Sequence, residues 1–323
     1  MAFKVVVTDY LFDNIDPFLK ELKANGIQVA VYQEKNPHKL IPLVRDADAV
    51  FVHHTIITEE IINAMEHCKV IIRPALGVDN IDGRAAAKKG IYVANVPDYG
   101  AEYDVSDHVI LLMLACVKKL YLLVKTVKSG AWDINVAKPI RRLRGQTLGL
   151  VGFGRIPKRV AKKAQALEMN VITYDPYIGD ETATEYGVRR VNFDTLCRES
   201  DVISVTLQLS DETRGIISRE AIAKMKPTAY IVNTSRGACI DEEALLQALR
   251  EHRLAGAGLD VVDGEVLAPE HSFNKMDNVI VTPHSAWFSE DAEEALLWLS
   301  GKEILEVYHS GKPLHPCNSP VAD

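Results

Sequence analysis

The sequence predicts an α/β protein of two domains, each a parallel sheet covered by helices, with the second domain inserted into the first. Three observations carry this. Short apolar runs alternate with longer segments of helical period, the pattern of parallel strands joined by helices. The 323 residues exceed what one ordinary core holds, so two domains are expected. A second strand series opens near residue 147 and contains a glycine-rich turn, Gly152-Phe153-Gly154.

The first series comprises 4–8, 27–32, 49–52, 70–73 and 91–95, most of them separated by helix-length segments. One such segment, 58–65, reads as a helix with Thr58 as its N-cap. A long helix is then expected from about Asp104 to Lys128. Its middle, 109–117, is apolar nearly all round but runs into Lys118-Lys119, and it falls short of the roughly 18 residues of a membrane span. It reads as a helix buried within one subunit or as a dimer surface.

The second series comprises 147–151, 170–174, 202–205, 229–233, 256–260 and 279–282. Six strands with intervening helices suit a doubly wound, Rossmann-like fold. A last helix, about 290–309, and a Pro-rich tail, 313–320, complete the chain. Punctuation at Pro97-Asp98-Tyr99-Gly100 and around 285–289 marks the boundaries. The expected division is 1–101 with 289–323 as one domain and 102–288 as the other.

Composition narrows the function. Hydrophobic content of 47% and charged content of 25% are those of a soluble globular protein. A net charge of −7 without a long basic run argues against nucleic acid as a partner. The N-terminus begins like a strand and lacks a secretory h-region, so a cytoplasmic protein without membrane attachment is expected. Cys68, Cys116, Cys197, Cys239 and Cys317 are an odd number with no C-x-x-C spacing. Inert thiols fit this better than a zinc site or a disulfide framework.

The glycine turn follows the apolar run Leu148-Gly149-Leu150-Val151. Gly152 allows a tight turn, Gly154 lets backbone approach a pyrophosphate, and a helix opening at Arg155-Ile156 offers unpaired N–H groups. Asp175, 21 residues after Gly154, ends the next strand and can accept from both adenosine ribose hydroxyls. A 2′-phosphate there would meet like charge, so NAD is favoured over NADP. Pro157 replaces the third glycine, which the first turn of a helix tolerates.

Downstream, Ile231-Val232-Asn233-Thr234-Ser235-Arg236-Gly237 is a strand that ends by presenting Thr234 to the cofactor and Arg236 to an anion. Glu265 and His284 follow the next two strands. A carboxylate on one ring nitrogen would fix the tautomer of His284 and favour its charged form, with Glu265 read as buried. An exposed salt-bridging arginine and a satisfied histidine are the plainer readings of each residue taken alone.

Together these residues resemble the D-isomer-specific 2-hydroxyacid dehydrogenases over nearly the whole chain. The segments that carry the resemblance are Arg73-Pro74-Ala75-Leu76-Gly77-Val78-Asp79-Asn80-Ile81-Asp82, the glycine turn, 233–237, 259–265 and 282–286. The 174–177 and 282–287 segments look most like the branch containing the C-terminal-binding-protein corepressors and their bacterial relatives. The resemblance implies that Arg236 binds substrate, His284 is the acid/base and Glu265 supports it. It implies backbone contacts to the substrate carboxylate from Leu76 and Gly77, and a nicotinamide contact from Asp260. Tyr99 and Trp287 are candidate substrate contacts, His53-His54 a weaker one.

The expected activity is NAD-dependent reduction of a small 2-keto acid, pyruvate or hydroxypyruvate first, by a homodimer formed through 104–128 and without a metal. The alternatives are an NAD(H)-sensing interaction protein and a phosphoglycerate-type dehydrogenase. Against the latter stand the absence of an appended regulatory domain and of a phosphate-binding cluster in the first domain. Gln208 and Val266 depart from the family pattern, where proline is common, and Val266 is expected to loosen the loop holding Glu265.

Overall fold

The apolar runs pair as parallel strands in two separate sheets. The structure, a computed structural model, describes residues 2–320 and divides into two units, Met1–Ala101 with Phe288–Asp323, and Glu102–Trp287. Both are Rossmann-like. In the first, β1 (Lys4–Val7), α1 (Asp16–Ala24), β2 (Gln28–Val31), α2 (Pro37–Val44), β3 (Ala49–Phe51), α3 (Glu59–Ala64), β4 (Val70–Ile72), α4 (Gly83–Lys88) and β5 (Tyr92–Ala94) follow one another. The sheet order is β2-β1-β3-β4-β5. The central strands β3 and β4 are buried at every position, as a sheet covered on both faces requires. Val6, Val50 and Ile71 share one cluster with Leu40, Ile61 and Ala86 from the covering helices.

Most expected strands run one residue too far at the carboxyl end. Thr8, Val52, Arg73 and Asn95 have left the ladder and belong to loops. Thr58 stands at the N-cap of α3 with extended backbone, but its side chain makes no capping hydrogen bond. Glu59 and Glu60 in the first turn complement the positive helix end instead.

The second unit contains α5 (Ala101–Val117), α6 (Leu120–Lys128), β6 (Thr147–Val151), α7 (Arg155–Ala166), β7 (Asn170–Tyr174), α8 (Asp180–Glu185), β8 (Arg189–Arg190), α9 (Phe193–Glu199), β9 (Val202–Val205), α10 (Arg219–Lys224), β10 (Tyr230–Asn233), α11 (Glu242–Arg250), β11 (Gly256–Leu259) and β12 (Val279–Val281). The order β12-β11-β10-β9-β6-β7-β8 reverses direction between β9 and β6, the switch point where such sheets bind ligands. Side chains alternate between two cores. Leu148 and Leu150 join Val109, Leu112 and Met113 of α5, whereas Val151, Ile203, Val205 and Ile231 join Leu245 and Leu249 of α11.

Two expectations need correction. The single helix over 104–128 is two helices, interrupted at Lys119, whose φ is 51°. The buried stripe of α5 (Val109, Leu112, Met113, Cys116, Val117) ends at Val117, and α6 has no buried residue, so no core carries the helix onward. The 109–117 stretch is also not buried all round, since Leu111 is exposed. In addition the sheet has a seventh strand, β8, made of two exposed arginines that give no apolar signal.

The chain returns to the first unit as α12 (Glu290–Ser310), capped by Ser289, whose Oγ accepts from Ala292 N at 3.1 Å. It packs on α1 and β4. The tail then runs along β5, where Cys317 N donates to Val93 O at 2.7 Å.

Candidate functional site

Strands β10, β11 and β12 lie side by side in register, with Asn233 opposite Leu259 and Leu259 opposite Val281. Their carboxyl ends therefore carry Arg236, Asp260 and His284 on neighbouring loops. The first loop is organised by buried Asn233. Its Oδ1 accepts from Ser235 N at 3.0 Å and Ser235 Oγ at 2.9 Å, and its Nδ2 donates to Arg236 O at 2.9 Å. Arg236 is half-buried, and its Nη1 donates to Ser235 O at 2.7 Å. Gly237 permits this turn by contact rather than by conformation: a Cβ there would lie 2.0 Å from Val262 C and 2.3 Å from Asp263 N. The arginine loop is thus seated directly on the loop that carries Glu265.

That second loop turns at Gly264 (φ 76°), with Glu265 N donating to Val262 O at 3.2 Å. Glu265 Oε2 lies 2.5 Å from His284 Nδ1. Both residues have left-handed backbone, φ 64° for Glu265 and 52° for His284, a conformation that costs a non-glycine residue about 1–3 kcal/mol. The expectation of a buried carboxylate is corrected, because the Glu265 side chain is 48% exposed. The loop after β11 reaches the surface from Asp263 to Val266, all of them exposed.

Asp260, at the end of β11, is buried and anchors the histidine loop. Its backbone O accepts from His284 N at 2.8 Å, Oδ1 from Ser285 N at 2.9 Å and Oδ2 from Ala286 N at 2.9 Å. Burial pushes its pKa up, but hydrogen bonds from the side chains of His108 and Thr282 and from the amides of Ala286 and Ser285 outweigh this and hold it below the usual aspartate value. The resemblance implies a nicotinamide contact for Asp260; here both carboxylate oxygens are engaged by the 282–286 segment.

The glycine turn follows β6. Gly152 has φ 93°, and a Cβ on it would meet Thr206 O at 3.0 Å. Phe153 N donates to Asp175 Oδ2 and Tyr177 N to Asp175 Oδ1, both at 2.8 Å, so the carboxylate at the end of β7 is fixed beside the turn. Gly154 is the N-cap of α7, and the space where its Cβ would be is open. Arg155 and Ile156 are the first two helical residues. The Arg155 guanidinium is bonded to Glu102 at 2.8 Å, which leaves the backbone N–H groups of this helix end as the natural anion donors. Pro157 is buried in the first turn, where its missing N–H costs no helical bond.

In the first unit, Ala75 O accepts from Val96 N at 3.1 Å and Leu76 O from Asn95 Nδ2 at 2.7 Å. In a trans peptide the N–H points opposite the preceding carbonyl. The N–H of Leu76 is therefore turned away from Val96 N, and that of Gly77 away from the Asn95 side chain. Arg73 braces the loop through Gly77 O at 2.8 Å and His53 O at 3.0 Å. Tyr99 is buried, and Trp287, the last residue of the second unit, is half-buried.

Residues 110–286 match the NAD-binding domain of the D-isomer specific 2-hydroxyacid dehydrogenases. Hydroxypyruvate reductase of Thermotoga maritima is 38% identical over 91% of this chain and 94% of its own. The chain belongs to the D-isomer specific 2-hydroxyacid dehydrogenase family. D-3-phosphoglycerate dehydrogenase of Archaeoglobus fulgidus is also 38% identical, over 94% of this chain, but the match spans only 57% of that relative's length. The crystal structure of D-lactate dehydrogenase from Aquifex aeolicus, complexed with NAD and lactic acid, has a TM-score of 0.84 and 29% identity, covering 95% of this chain and 96% of that one.

The cofactor of this family is NAD, and the residues present fit it. Beside the open helix end and Asp175, Thr206 Oγ1 and Thr234 Oγ1 are buried without a hydrogen-bond partner at the ends of β9 and β10. Buried hydroxyls of this kind are paired in most proteins, and a polar ligand at the switch point would pair them. Thr234 is among the residues expected from the sequence, whereas Thr206 was not singled out. The signal was available: Thr206 follows β9 as Thr234 follows β10. In the sequence Asn233 is the end of a strand and the start of the 233–237 segment, whereas its role in shaping the Arg236 turn is a matter of the tertiary structure.

Proposed function

We propose that the protein is an NAD-dependent D-2-hydroxyacid dehydrogenase acting on a small 2-keto acid, with hydroxypyruvate or pyruvate the first candidates. The observation that carries the reading is the Glu265–His284 pair at the carboxyl ends of an NAD-binding sheet, with Arg236 on the adjacent loop. The hydroxypyruvate reductase relative, matched over nearly all of its length, supports the substrate class.

Bound NADH supplies a hydride to the carbonyl carbon. Ionised Glu265 only accepts hydrogen bonds, so His284 Nδ1 carries a proton and Nε2 is the atom left to exchange one with substrate. In the imidazolium, Nε2–H donates its proton to the ketone oxygen as the hydroxyl forms; in the reverse direction neutral Nε2 takes it back. The Arg236 guanidinium, steadied through Ser235 O, pairs with the substrate carboxylate and stabilises charge developing on the ketone oxygen. Asp175 accepts from the adenosine ribose.

Reduction consumes one proton, so its rate should fall and oxidation should rise as pH increases. Replacing His284 with Ala should lower turnover by roughly 10²–10⁴-fold. The phosphoglycerate-type reading is favoured by the archaeal relative's name and is separated by substrate. The test is NADH oxidation with pyruvate, hydroxypyruvate, glyoxylate, phenylpyruvate and 3-phosphohydroxypyruvate, with NADPH in parallel. Turnover confined to the phosphorylated acid would replace the first reading with the second. Tight NADH binding with no turnover would favour an NAD(H)-sensing interaction protein. Self-association is proposed through α6, where Leu120, Tyr121, Val124 and Val127 are exposed.

A further inference from the structure

His108 lies on α5, outside the segments that carry the family resemblance. Its side chain is 14% exposed, and its Nε2 is 3.0 Å from Thr282 Oγ1 and 3.4 Å from Asp260 Oδ1. Thr282 Oγ1 is in turn 2.5 Å from Asp260 Oδ1. An ionised Asp260 can only accept, so the threonine proton points to the carboxylate. The threonine oxygen is then an acceptor towards His108, whose Nε2 must carry a hydrogen. This fixes both the direction of the chain and the tautomer: His108 Nε2–H to Thr282 Oγ1, Thr282 O–H to Asp260. Asp260 passes the constraint on, holding the amides of Ser285 and Ala286 with its carboxylate and that of His284 with its carbonyl.

We propose that His108 is a positioning residue for His284. It supplies the terminal donor of a buried hydrogen-bond chain that fixes Asp260, and through Asp260 it holds the histidine loop in its left-handed turn with the imidazole against Glu265. His284 has φ 52°, which the loop would relax from if its anchor could rotate. The chain lies wholly within the second unit, between a core helix and the ends of β11 and β12. His108 is not a catalytic residue; its part is geometric. The kinetic arm of the test rests on the dehydrogenase reading, and the spectroscopic arm does not.

The experiment compares His108→Leu, which keeps bulk but removes the donor, with His108→Gln, whose amide places an N–H at a similar reach. In the wild type and both variants, the His284 ring nitrogens are followed by ¹⁵N NMR and kcat and KM are measured for the preferred keto acid. The expected result is a displaced or broadened His284 signal in His108→Leu. Its kcat should fall about tenfold to hundredfold, as a misplacement near 1 Å costs, with KM changed far less. His108→Gln should restore the signal and most of kcat, and thermal melts should show all three proteins folded. An unmoved His284 signal in His108→Leu would overturn the proposal, and so would equal impairment of both folded variants, because the donor would then be immaterial. If the wild type reduces no keto acid, the dehydrogenase reading fails, while the NMR comparison still decides the role of His108.

Discussion

Gly237→Ala is the sharpest test of the claim that the arginine and glutamate loops are seated on one another. The new Cβ would lie 2.0 Å from Val262 C, 2.2 Å from Val262 O and 2.3 Å from Asp263 N. All three are backbone atoms, so no side chain can swing aside. Ordinary contact begins near 3.4 Å, so one of the two loops must move by about 1.4 Å. Either Arg236 is displaced from its turn or Glu265 leaves His284. A displacement of that size should lower kcat about 100-fold, with a stability cost of about 1–3 kcal/mol from overpacking. The assay is steady-state keto acid reduction beside thermal unfolding. Gly83→Ala is the control: a Cβ there meets nothing within 4 Å and the backbone is not left-handed. Wild-type kcat in a folded Gly237→Ala protein would refute the shared seating of the two loops.

Three other outcomes are expected. Asp175→Ala should raise the KM for NADH by about 10- to 100-fold, the worth of a charged hydrogen bond, and narrow the preference over NADPH; steady-state titration of each cofactor checks this. Asp9 is buried, and burial raises its pKa, but donors from His54, Thr55, Thr8 and His53 outweigh this and hold it below the ordinary value of 3.8. Its stabilisation is thus present above about pH 4 and is lost as pH falls through the lower folded value, so Asp9→Asn should cost about 1–3 kcal/mol at pH 7 and progressively less in acid. Unfolding melts at pH 7 and pH 3 test the sign, and an unchanged gap would contradict it. Val124→Asp with Val127→Asp should dissociate the proposed dimer without unfolding the second unit, because α6 has no buried residue; light scattering reads the mass.

The proposed chemistry rests on residues whose order along the chain is itself informative. Glycines after a strand, an aspartate one strand later, and an arginine, a glutamate and a histidine after three further strands define the dinucleotide fold and its family. Strand ends are legible because a buried parallel strand is a nearly continuous apolar run, and the polar residues in the first few positions beyond it fall at the ligand edge. That rule located Asp175, Arg236 and His284, and it extends to Thr206.

What the sequence left open depends on contacts between distant segments. Lys118-Lys119 carries no breaking signal, and α5 ends there because its buried stripe ends, a fact about the sheet beneath it. Arg189-Arg190 forms a strand because β7 offers an open edge, not because arginine prefers one. The exposure of Glu265 follows from the path of its loop. Gly237 reads as an ordinary turn glycine until Val262 is placed against it, and His108 reads as a helix histidine until Thr282 and Asp260 are beside it. The sequence by itself determined the fold, the cofactor and the positions of the candidate reacting groups at strand ends, because local period and strand-end position encode them. The tertiary structure alone decided which loops brace one another and which donors fix them, because those hydrogen bonds and close approaches join residues far apart in the chain.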